Sequence, residues 1–175
     1  CEYNALMAAV CALCKTNGEL RNSHIIPEFF YKLVYDPSPR RFRVVSAIAS
    51  EPERYVQKGL RERLLCSVCE QKIGRLENYA KKTFVDGKGL QITQQNAAVV
   101  LSNLDYKLFK LFLLSLLWRM SVSKLDFFRE VRLGLYEEKL RLALVNDDPL
   151  LPLQYACQMI VVLVGGKACT DWIVE

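Results

Sequence analysis

Two sets of residues in this chain have the type and spacing that chemistry uses. Cys11 and Cys14 in "CALC" and Cys66 and Cys69 in "CSVC" make two Cys-x-x-Cys pairs, while His24, in "NSHIIPEFFYK", is the single histidine. Four thiolates can enclose one tetrahedral Zn2+, each at about 2.3 Å, and the x-x spacing lets both sulfurs of a pair turn toward one point. The second pair falls where a helix is expected to begin, and the positive end of a helix favours thiolate over thiol. A structural zinc site made by Cys11, Cys14, Cys66 and Cys69 is therefore expected, against the plainer alternative of four unrelated buried thiols. Cys1, Cys157 and Cys169 are scattered, so the cysteines number seven, an odd count. No basic segment leads into an apolar run at the start of the chain, so a disulfide framework is not expected and a reducing, cytoplasmic setting is.

The elements that must position these residues are legible in outline. "TNGEL" after the first cysteine pair carries the Asn-Gly signature of a tight turn, which lets the backbone curl round an ion. "ELRNSHII" reads as a short strand, and Pro27 suits the first position of a helix or turn over "PEFFYKLVY". "RFRVVSA" alternates as a strand between loop-like ends, and "YVQKGLRERLL" reads as a hairpin or strand pair around Gly59. From Ser67 to Phe84 a helix is expected, with Val68, Ile73, Leu76, Tyr79 and Ala80 on its apolar side. "VDGKG" breaks it. Residues 104–120 predict a helix apolar nearly all round, interrupted by Asp105, Lys107, Lys110, Ser115 and Arg119, hence buried on most sides. Ser123 with Asp126 offers a helix start, "LYEEKLRLALVND" predicts an amphipathic helix, and the last residues read as a hairpin around Gly165-Gly166. The expected fold is α+β. Its treble-clef zinc module covers residues 1–84, and a mainly helical region with a C-terminal β-hairpin covers 85–175, the two packed as one unit.

With that order of elements, "CALC…NSHIIPEFF…RLLCSVCEQKIG" resembles the four-cysteine branch of the HNH (ββα-metal) endonucleases over residues 11–84. "SHIIP" matches the histidine strand of the family and "LLCSVCE" the entry to its helix. The whole-chain pattern, including "CEQKIGRLENYA" and "LFLLSLLWRMSVS", also resembles a set of bacterial proteins. The HNH resemblance implies hydrolysis of DNA, with His24 as the general base that deprotonates water and a divalent cation such as Mg2+ or Mn2+ beside it. An imidazole with an ordinary pKa of about 6.5 suits that role.

The chain departs from the family at three places. Ser23 stands where a cation-binding aspartate is usual, Arg61 near the expected orienting asparagine, and Glu70 where a histidine follows the last cysteine. A carboxylate can take over as ligand to a hard cation. Glu77 lies seven residues further along the same helix face, with Gly74 between, so His24, Glu70 and Glu77 are the expected catalytic set. The plainer alternatives are a packed His24 bonded to Glu70 or backbone, and solvated carboxylates paired with Arg61 or Arg63.

Charge neither demands nor excludes an anionic partner: the 175 residues carry a formal charge of +5. The positive residues concentrate at Arg40, Arg41, Arg43, Arg54, Lys58, Arg61 and Arg63, interleaved with Phe42 and Tyr55. Of these, Arg41, Arg43, Lys58, Arg61 and Arg63 are the expected contacts to nucleic-acid phosphates, with a solvated charged surface as the alternative. If the chemistry is lost, the same scaffold reads as a zinc-binding module that holds nucleic acid, or a partner protein or second copy, through the helical region. The longest apolar run, Leu111 to Trp118, is far short of the roughly 20 residues that span a bilayer.

Overall fold

The computed structural model describes residues 9–32, 34–36, 38–39, 41–44, 52–95, 98–156, 163–164 and 167–168. They form a mixture of helices and small antiparallel sheets, an α+β arrangement. The first ladder joins β1 (Ala9–Val10) to β2 (Asn17–Gly18) and frames the first cysteine pair. Asn17-Gly18 therefore lies in a strand, not at the tip of the turn as its composition suggests. The turn is made upstream, where Lys15 takes a left-handed φ of 62° and its amide donates to the Cys11 carbonyl at 2.9 Å. Curling the chain round the sulfurs selects this bend.

β3 (Leu20–His24) pairs antiparallel with β6 (Arg61–Cys66), placing His24 opposite Arg61 and Leu20 opposite Cys66. Cys66 is also the N-cap of α2 (Ser67–Ala80), so one backbone step carries the chain from strand into helix at a cysteine. Between β3 and β6 lie α1 (Glu28–Tyr31), a single turn opened by Pro27, and the ladder of β4 (Phe42–Val44) with β5 (Arg54–Val56). The hairpin expected around Gly59 is not closed on itself. Its two arms, β5 and β6, pair with different strands. Gly59 instead allows close approach, since a Cβ there would run into the Tyr31 ring.

α2 runs on into a π-helical turn at Lys81–Val85 and stops at Gly87 and Gly89, both at positive φ. A hairpin of β7 (Gln91–Gln95) and β8 (Ala98–Ser102), which the sequence reading leaves as an undefined change of character, precedes α3 (Tyr106–Val122). Asp105 caps α3 by accepting from the Leu108 amide at 3.0 Å. Ser123 ends α3 and begins no α-helix; its hydroxyl accepts from the Leu125 amide ahead of a short 3-10 turn at Asp126–Phe128. α4 (Tyr136–Asn146) follows and ends at Asp147 in the left-handed region. The expected terminal hairpin falls largely on residues outside the described set; within that set, β9 (Leu163–Val164) and β10 (Lys167–Ala168) form a two-residue ladder. Arg40, Cys1, Cys157 and Cys169 also lie outside it.

Cys11, Leu13, Ile25, Leu65, Ile73 and Leu76 from the first part share one buried cluster with Leu111, Leu114, Trp118, Leu140 and Leu144 from the second. Each such side chain contributes about 1.5–3 kcal/mol when fully buried. α3 is the central element: both α2 and α4 pack on it. Among the described residues no helix is long and apolar enough to cross a membrane.

Candidate metal centre and the His24 cluster

The four cysteines converge. Their Sγ atoms all lie within 4.8 Å of one another, with Cys14 and Cys66 at 3.8 Å. A regular tetrahedron with arms of about 2.3 Å has sulfur–sulfur edges of about 3.8 Å, so the set fits a zinc-sized ion. The local fold explains the convergence. The Cys11 amide donates to the Thr16 carbonyl and the Ala12 amide to the Leu64 carbonyl, which docks the knuckle onto β6. The Cys66 amide donates to Cys11 Sγ at 3.3 Å, a contact that stabilises thiolate charge.

The sulfurs differ in surroundings. Burial pushes the Cys11 thiol up, and burial together with the neighbouring thiols pushes Cys69 up. Cys14 is drawn down to about 6, chiefly by its hydrogen bond with the Thr16 hydroxyl. A bound divalent ion supplies the positive charge that four crowded thiolates need. The cluster can therefore hold a structural metal such as zinc. One outer contact comes from the far end of the chain: Arg141 on α4 donates to the Leu13 carbonyl at 2.5 Å while paired with Glu138.

His24 ends β3, partly exposed, and is surrounded from several sides. Its Nε2 lies 3.0 Å from Glu28 Oε2, and the same carboxylate oxygen is 3.7 Å from Arg61 Nη2. Tyr35 donates its hydroxyl to the other oxygen of Glu28 at 3.1 Å. A carboxylate only accepts, so Nε2 carries the hydrogen and Nδ1 is the basic nitrogen of the neutral ring. Burial and the Arg61 charge hold the His24 pKa below its ordinary value, against opposing pulls from Glu28 and Glu77. Arg61 Nε is buried without a hydrogen-bond partner among the described residues.

Glu70 and Glu77 each engage a side chain other than His24. Glu70 accepts from the buried Ser23 hydroxyl at 2.5 Å, and Glu77 pairs with Arg119 Nη1 at 2.6 Å. Among the described residues, the four cysteines are the group of three or more His, Cys, Asp or Glu side chains near enough to share an ion. Gly74, between the two glutamates, does have open space where a Cβ would project. The other expected contacts have partners of their own or face solvent. Arg41 pairs with Asp36 and sits 4.1 Å from the centre of the Tyr55 ring, Arg43 pairs with Glu53 at 3.2 Å, and Lys58 and Arg63 are exposed. A hollow of about 450 Å³ lies elsewhere, along α4 and the turn after it; its lining, with Tyr136, Lys139, Asn146 and Tyr155, includes no residue of the His24 cluster.

Two residues of these sites, Glu28 and Arg141, escape the sequence reading. Glu28 follows Pro27 in the first turn of α1, and its i, i+4 spacing from His24 is the available signal. Arg119 is noticeable as a cation inside an apolar helix, but its partners are not. Arg141 offers no local signal. No family model matches this chain, and comparison with curated proteins and with solved structures returns no match.

Proposed function

We propose that the chain is a zinc-binding treble-clef protein of HNH type that hydrolyses phosphodiester bonds in DNA, with His24 as general base. The observation that carries this reading is the imidazole at the open end of β3, bonded through Nε2 to a carboxylate and flanked by a guanidinium. The order of knuckle, hairpin strand, second cysteine pair and helix supports the treble clef, and soft thiolate ligands support zinc as the ion. In the proposed reaction His24 Nδ1 takes a proton from water, and the resulting hydroxide attacks phosphorus. The P–O bond to the leaving group breaks, and that oxygen takes up a proton from solvent. Glu28 steadies the imidazolium that forms, and Arg61 faces the charge gathering on the phosphate. Glu70 and Glu77 have no part in the step and no residue is assigned to a Mg2+ or Mn2+ ion, because Ser23 and Arg119 already engage those carboxylates.

The test is nicking of supercoiled plasmid by the zinc-loaded protein, with Mg2+, with Mn2+ and without either. His24→Ala should abolish cleavage while leaving zinc content and circular dichroism unchanged, and cleavage that survives it overturns the assignment. A second reading, DNA binding without cleavage, is favoured by the engagement of both glutamates. It expects salt-sensitive retention of DNA that His24→Ala leaves intact.

A further inference from the structure

Arg119 is the least expected side chain in the molecule. It sits on the apolar α3, its side chain is 2% exposed, and a guanidinium does not give up its charge to escape burial. Its donors reach three elements. Nη1 donates to Glu77 Oε1 on α2 at 2.6 Å and to the main-chain carbonyl of His24 at 2.8 Å, and Nε donates to Ser115 within α3 at 3.2 Å. Nη2 is buried without a hydrogen-bond partner among the described residues, so the arrangement carries an unmet donor as well as a desolvated charge.

Packing alone does not call for this. An apolar side chain of similar volume in α3 would fill the same space without desolvating a charge, and such replacements are often neutral or stabilising. What the guanidinium adds is a connection. It grips the backbone of the residue that carries the imidazole, and it gives the nearby Glu77 carboxylate a partner other than that imidazole. The charged groups facing His24 are then Glu28 from α1, Arg61 from β6 and Glu77 from α2, with Arg119 on α3 behind Glu77.

We infer that Arg119 is a positioning residue for His24: through the His24 carbonyl and Glu77 it fixes the end of β3 against the helical half and holds the Glu77 carboxylate to itself. The catalytic part of this inference rests on the proposed function. The positioning part does not, and its readout is separate.

Because His24 is the single histidine, its ring resonances can be followed by NMR through a pH titration without assignment ambiguity. In the zinc-loaded protein, Arg119→Gln should move the His24 pKa upward, since Glu77 then acts on the ring uncompensated. Adding Glu77→Gln to that variant should move it back down. Glu77→Gln alone, which keeps Arg119 in place, should move it below the wild-type value. It also serves as the deciding measurement if Arg119→Gln does not fold. Arg119→Lys keeps the charge but loses the planar fork and the Nε bond to Ser115 that sets where Nη1 sits, and should lower kcat for plasmid cleavage roughly 100-fold with KM little changed, as expected when a reacting group is displaced by about an ångström. A His24 titration unmoved by Glu77→Gln, or moved by Arg119→Gln and not restored in the double variant, overturns the inference. If wild-type protein cleaves nothing, the proposed function falls, while the titrations still decide whether Arg119 positions His24.

Discussion

At the scale of single residues, His24 makes a statement about pH. Its pKa in the folded protein lies below the ordinary value, because burial and Arg61 outweigh Glu28 and Glu77. The unfolded chain takes up a proton near pH 6.5, whereas the folded chain does so only further down. The contribution of His24 to stability is therefore fully present above about pH 6.5 and is lost as pH falls toward and through the lowered value. For one group the slope cannot exceed about 1.4 kcal/mol per pH unit. Urea denaturation at a series of pH values, for wild type and His24→Gln, should show a shallower acid slope in the variant over that window. Equal slopes mean that the imidazole is not held neutral by its surroundings. The same sign bears on the proposed reaction: a base that stays unprotonated to lower pH extends activity to the acid side.

At the scale of elements, the Gly59 contact shows how tightly the segment between α1 and β6 is seated. The buried Tyr31 ring occupies the space a side chain would need, and its hydroxyl accepts from the Leu60 amide at 3.1 Å. Gly59→Ala should destabilise the protein by about 1–3 kcal/mol, the usual range for overpacking a filled site. The added cost should shrink in a Tyr31→Leu background, where the ring is gone; a double-mutant cycle in urea measures the coupling. Additive costs mean that the ring yields freely.

This same segment marks the limit of sequence reading. The two cysteine pairs, the strand ending at His24 and the helix entered at Cys66 are local patterns, and the chain alone displays them. Whether Gly59 turns a hairpin depends on which strands are left to pair with β5 and β6, and β4 and β3 take them. Glu70 and Glu77 do share one face of α2, as helical spacing implies. Their partners are residues that spacing does not reach, Ser23 on the adjacent strand and Arg119, which lies 42 residues from Glu77 and 95 from His24. Glu28 was within reach, since a helix opened by Pro27 must place its first carboxylate near the preceding strand end.

At the scale of the whole molecule, the cysteine cluster and the helical part are joined by more than chain connectivity. Cys11 and Leu13 belong to the same buried cluster as Trp118, Leu140 and Leu144, and Arg141 on α4 holds the carbonyl of Leu13, inside the first cysteine pair. An ion bound by Cys11, Cys14, Cys66 and Cys69 would therefore stabilise α4 as well as the knuckle, because binding to the folded state alone adds to the stability of everything that folds with it. Two outcomes follow. Stripping the metal with a strong chelator should speed amide hydrogen exchange in α4 and not only between Cys11 and Cys69. Trp118→Ala, which empties a fully buried site in α3, should cost about 3–5 kcal/mol and shift metal release and loss of helical signal to the same lower urea concentration. Metal retained after the helices have melted would mean that the cysteine cluster folds as an independent unit, and that the core linking it to α3 and α4 contributes little to holding the ion.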